Sequence, residues 1–128
     1  MPLTIIQAIG RQEGYGIPGE RPTRNNNPGD LMAGPEAAEF GATGADGPYA
    51  IFPDADTGWM ALRRWLSVGA KFNAKGELVR GYMGATIEQV INRFAPAKAG
   101  NPTSAYISNV CTWVGCQPTD VLTPELLG

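Results

Sequence analysis

A single carboxylate at the end of an apolar helix face is the first feature of this sequence that points to chemistry. At about 100° per residue, Ile5, Ile6, Ile9 and Glu13 share a narrow angular sector while Arg11 points away from it. Glu13 therefore rides on the apolar side of a helix that Gly14 and Gly16 then terminate. Desolvation at such a position favours the protonated carboxyl, the form a general acid must hold near neutral pH. The plainer reading of the same residue is a partly exposed glutamate that merely finishes a helix.

Composition narrows the chemistry further. The chain contains no histidine, which excludes Ser-His-Asp and Cys-His catalysis as well as imidazole metal ligation. Acid–base work falls to carboxylates. Its two cysteines, Cys111 and Cys116, are too few for a thiolate zinc site, so neither a metal nor a cofactor is expected. On one continuous helix a five-residue separation holds the Cα atoms too far apart for a disulfide, and two free, mostly buried thiols are expected. That expectation depends on the helix running through Cys116. Ten basic and twelve acidic residues give a net charge of −2 with no run of like charge, so no nucleic-acid partner is expected. No apolar stretch approaches the ~20 residues of a membrane-spanning helix, and the N-terminus lacks a signal peptide's basic start. The sequence thus reads as a protein made in the cytoplasm without membrane insertion.

The elements that must position Glu13 follow from capping and periodicity. At 128 residues the chain fits one domain, 1–128, expected to be monomeric. Thr4-Ile5-Ile6-Gln7 is a capping box that opens the first helix, and Thr86-Ile87-Glu88-Gln89 is a second. Ile87, Val90, Ile91 and Phe94 continue that second helix until Pro96 ends it. Trp59, Leu62, Trp65, Leu66 and Gly69 make the stripe of a central core helix, while Ile107, Val110, Cys111 and Val114 make that of a last helix from about Thr103 to Gly115. Between Gly14 and Pro48 the chain reads as a long polar loop, uncommon unless it is functional or holds a short hairpin. Tyr49-Ala50-Ile51-Phe52 reads as a short strand whose partner lies around Leu31-Met32.

Several strings carry a resemblance. Arg11-Gln12-Glu13-Gly14, then Arg24-Asn25-Asn26-Asn27-Pro28-Gly29-Asp30-Leu31, then Ala50-Ile51-Phe52 through Gly58-Trp59-Met60-Ala61-Leu62 resemble small lysozyme-like proteins of phage endolysin and virion-associated type. Thr86-Ile87-Glu88-Gln89-Val90-Ile91, Ala95-Pro96 and Tyr106-Ile107-Ser108-Asn109-Val110 resemble the C-terminal half of the same proteins. The resemblance implies a mainly α, α+β lysozyme-like fold, with a helical domain, a short β-hairpin and a long polar loop beside a cleft. It implies an enzyme that cleaves the β-1,4 bond between MurNAc and GlcNAc in peptidoglycan, by hydrolysis or as a lytic transglycosylase, with Glu13 as its acid. Its partners would be glycan strands of the cell wall, reached after release from the cell or as part of a virion. A non-catalytic phage structural or wall-binding protein and a chitinase-like glycosidase are the alternatives.

The chain departs from the glutamate, aspartate and threonine pattern of phage-type lysozymes, since Pro22 and Pro28 stand at the corresponding offsets from Glu13. Gly29-Asp30-Leu31-Met32 instead resembles the element that follows the acid in transglycosylases and goose-type lysozymes, which manage with one acid. Candidates for a second carboxylate are Asp30, Asp46, Asp54 and Asp56, although Asp54 and Asp56 also suit N-capping of the Trp59 helix and Asp30 suits an Asx turn. Candidate sugar contacts are Asn25, Asn26, Asn27 and Asp30 of the loop, one of Tyr49 and Phe52, which strand alternation puts on opposite faces, and Tyr106. Loop chemistry, for the asparagines, and ordinary packing, for the aromatics, are the competing explanations.

Overall fold

A computed structural model describes residues 2–95 and 102–128. The protein is a small α+β molecule of short helices and two antiparallel hairpins. It divides into two compact units, residues 9–65 in one, the start of the first helix and the chain from Leu66 onward in the other.

Helix α1, Ile5–Glu13, begins at the capping box read from sequence: the Thr4 N–H donates to Gln7 Oε1 at 3.0 Å and the Gln7 N–H to Thr4 Oγ1 at 3.4 Å. Ile5, Ile6, Ala8 and Ile9 are buried, and Gly14, at φ +92°, takes the chain out of the helix. The stretch from Gly14 to Pro48 is more structured than expected. Helices α2, Arg21–Arg24, and α3, Pro35–Glu39, each start with a proline in their first two positions, where its fixed φ and missing N–H cost nothing. Pro22 and Pro35, inside what reads as one long polar loop, are here at helix starts.

Strand β1, Gly44–Asp46, pairs antiparallel with β2, Tyr49–Ile51, through the two-residue turn Gly47-Pro48. Turns of this length need a positive φ at their first residue, and Gly47 supplies +57°. The partner expected around Leu31-Met32 occupies only the other edge of β2. Tyr49 bridges Met32, the Ala50 N–H donates to the Leu31 carbonyl at 2.9 Å, and the Ala33 N–H donates to that of Pro48 at 2.8 Å. Helix α4, Ala55–Leu66, buries Ala61, Leu62 and Leu66 completely. Each such leucine contributes about 1.5–3 kcal/mol relative to an exposed one. The helix stops three residues short of Gly69, which pairs instead with Met83 in an isolated bridge.

In the second unit, a small hairpin joins β3, Lys71–Phe72, to β4, Leu78–Arg80. Sequence reading did not anticipate it. Helix α5, Ile87–Phe94, carries the complete capping box at Thr86 and Gln89 and buries Ile87, Val90 and Ile91. The expected stop at Pro96 lies outside the described residues. Helix α6, Thr103–Val114, packs on α5 and ends at Gly115 in the left-handed region, as its sequence implied. The Thr103 hydroxyl donates to the Ala95 carbonyl at 3.1 Å. A final short helix, α7, Pro124–Leu127, capped by the Thr123 hydroxyl, was also not anticipated. No helix among the described residues is long and apolar enough to cross a membrane.

Candidate active site

Glu13 is the last residue of α1 and is partly exposed. Two neighbours fix where that helix ends. Gly10 lets Trp59 of α4 approach so closely that an added Cβ would stand 2.6 Å from its ring. Tyr15, two residues beyond the glutamate, meets the same indole edge-on, with centroids 5.2 Å apart. The chain after Glu13 is tied down by Thr23, whose Oγ1 accepts from the Gly16 N–H at 3.0 Å.

The centre of the polar network is Arg21, which sequence reading missed. Its Nε donates to both carboxylate oxygens of Asp30, at 3.0 and 3.2 Å, and its guanidinium lies 3.6 Å from the centroid of the Tyr49 ring. The hydrogen bond to Asp30 raises the Arg21 pKa most, partial burial opposes it, and the charges of Asp30, Tyr49 and Glu13 add to the rise. Glu13 is thus within electrostatic reach of the guanidinium. A second arginine, Arg24, donates to the Gly19 carbonyl at 2.8 Å and to Asp46 at 3.1 Å. Asp46 also accepts from Asn25 Nδ2 at 3.2 Å, and this bond, followed by that from Arg24, holds its carboxyl below the usual range.

Each of the three asparagines uses its amide nitrogen inside the fold. Asn27 is fully buried; its Nδ2 donates to the carbonyls of Leu31 and Ala50 at 3.0 and 2.9 Å, while its Oδ1 accepts from the Leu31 N–H at 2.9 Å. Asn26, at φ +51°, donates to the Phe52 carbonyl at 3.1 Å, and Asn25 is buried against Asp46. An amide already satisfied inside the fold would have to break those bonds to hold a sugar. The loop these residues shape lies directly on α4, for a Cβ at Gly58 would overlap the Asn26 carbonyl oxygen. Only glycine fits there.

The remaining candidates separate by burial. Phe52 is 1% exposed and belongs to the core, so of the strand pair only the half-buried Tyr49 has a face to offer. Tyr106 is 2% exposed within α6 and belongs to the other unit. Asp30, at φ +49° with its side chain only 8% exposed, is engaged by Arg21. Asp54 caps α4 by accepting from the Thr57 N–H at 2.8 Å and from its hydroxyl at 2.7 Å, and these bonds lower its pKa. Asp56 is exposed in the first turn of α4.

What the arrangement can do is limited and specific. A partly shielded carboxylate closes α1, and its charge is felt by the Arg21 guanidinium, which engages Asp30 and stacks on Tyr49. Such a carboxylate can pass a proton to or from a bound ligand. Among the described residues no group of three or more histidine, cysteine, aspartate or glutamate side chains can hold a metal. No signal in the spacing picks out Arg21, whose partners lie nine residues away in Asp30 and, further along the chain, at Tyr49 in β2. The chain matches no family model and no curated protein.

Proposed function

We propose that this protein is a lysozyme-like muramidase in which Glu13 serves as the single acid–base residue. The carboxyl donates a proton to the glycosidic oxygen between MurNAc and GlcNAc and then takes one from water or from the MurNAc 6-hydroxyl. The observation that carries this reading is the place of Glu13: it ends a helix whose apolar face is buried, yet is itself only partly shielded. The one-acid form is favoured because three of the four aspartates already have structural work. Asp30 engages Arg21, Asp46 engages Arg24 and Asn25, and Asp54 caps α4.

The second reading is a non-catalytic wall-binding or phage structural domain. It is favoured by one observation, the internal use of Asn25, Asn26 and Asn27, which removes the polar groups best suited to grip sugar. Gel zymography on peptidoglycan and on chitin separates the readings. A cleared band on peptidoglycan alone is expected. Clearing on chitin alone would make the protein a chitinase-like glycosidase, and a folded protein that binds peptidoglycan without clearing it would favour the domain without turnover.

A further inference from the structure

Cys111 and Cys116 take no part in the site described above. They lie where the chain leaves α6, and Gly115 there adopts φ +81°. The N–H groups of Gly115 and Cys116 both donate to the Cys111 carbonyl, at 2.8 and 3.1 Å. A six-to-one bond of this kind folds the residue after the glycine back over the last turn, against the side chain five positions earlier. Those two positions frequently hold an apolar contact. Here they hold the two cysteines, whose side chains line one pocket. The objection that five residues along a helix keep two cysteines apart does not apply, because α6 stops at Val114.

The pair is also reachable. A pocket of about 530 Å³ is lined by both cysteines together with Ser104, Ser108, Thr112 and Gln117. Cys111 is 7% exposed, and Cys116 is the more accessible. We propose that Cys111 and Cys116 form a redox-convertible dithiol, which low-molecular-weight disulfides entering this pocket oxidise to an intramolecular disulfide.

The exchange proceeds in two steps. Cys116 loses its proton to solvent, and its sulfur attacks one sulfur of the incoming disulfide. A protein mixed disulfide forms and one small thiolate leaves. Cys111 then loses its proton and attacks the Cys116 sulfur, which closes the intramolecular bond and expels the second thiolate. Two protein thiols are oxidised by two electrons, and one small disulfide is reduced to two thiols. Burial pushes the Cys111 thiol up to about 12 and raises that of Cys116 as well. The more accessible Cys116 is therefore the residue that attacks first.

The test incubates the purified full chain with oxidised glutathione, alkylates what remains of the free thiols under denaturing conditions, and reads the intact mass. The wild type is expected to lose both alkylatable thiols together, with the loss of two hydrogens and no glutathione adduct. The Cys111→Ser variant should accumulate a mixed disulfide at Cys116. Retention of two alkylatable thiols, a stable glutathione adduct on the wild type, or a covalent dimer of two chains would each overturn the proposal. The wild-type result needs no substitution, so failure of the variant to fold leaves the test decisive.

Discussion

In residues 9–65 the chain around Glu13 is fixed by side chains that bond backbone groups, whereas in the second unit α5 and α6 are held by apolar faces and caps. Asn27 makes three hydrogen bonds from a fully buried position, and Arg24, Thr23 and Asn26 add others. Helix α5 instead buries Ile87, Val90 and Ile91 and closes its first turn with Thr86 and Gln89. Directional bonds set the path of a loop that has few apolar residues to bury. The same bonds leave little tolerance, because a lost partner strands a buried polar group. Apolar packing degrades more gradually.

Breaking the polar scaffold should therefore cost most. Asn27→Ala removes the partner of the Leu31 N–H and of the Ala50 carbonyl, and one of the two donors to the Leu31 carbonyl, which keeps the Ala50 N–H. At about 1–3 kcal/mol for each buried group left unpaired, partly relieved by water, a loss of about 3–5 kcal/mol is expected in chemical denaturation. A loss below about 1 kcal/mol would show that the amide does not hold the loop. The apolar counterpart is Ile91→Val in α5, which strands no polar atom and should cost only about 0.5–1.5 kcal/mol. If the two variants were equally damaging, the contrast between the units would fail.

A smaller effect follows from pH. Hydrogen bonds from Asn25 and Arg24 lower the Asp46 pKa, and those from Thr57 lower that of Asp54. For a carboxylate depressed in the folded state, the stabilisation is fully present above the unfolded value of about 3.9 and is lost as pH falls through the folded value. Both side chains face solvent, so screening keeps the effect small. The melting temperature of the wild type should fall between about pH 5 and pH 3 by more than that of an Asp46→Asn, Asp54→Asn double variant. Equal falls would mean that these bonds add nothing.

The contrast also explains what was legible in the sequence. Capping boxes at Thr4 and Thr86 are local, and the stripes of α4, α5 and α6 repeat often enough to be read. Helices α2 and α3, of four and five residues, are too short to show a period. The strands β3 and β4 expose Phe72 and Val79, so no burial alternation marks them. The place of Glu13 at a helix end was legible because it depends on residues of its own helix. The use of Asn26 and Asn27 was not, since their partners Phe52 and Ala50 lie 26 and 23 residues further along. Arg21 was hidden for the same reason: only the folded chain brings Asp30 and Tyr49 to it.

The most direct test of the account is the rate at which wild type and Glu13→Gln release soluble fragments from purified peptidoglycan, measured on proteins shown to unfold alike. Gln preserves the shape of the side chain at the end of α1, so stability should stay within about 1–2 kcal/mol of wild type. A positioned acid–base group contributes roughly 10²–10⁴-fold, and the rate should fall by at least that much. A folded Glu13→Gln protein that releases fragments at the wild-type rate would contradict the assignment of Glu13 as the catalytic acid.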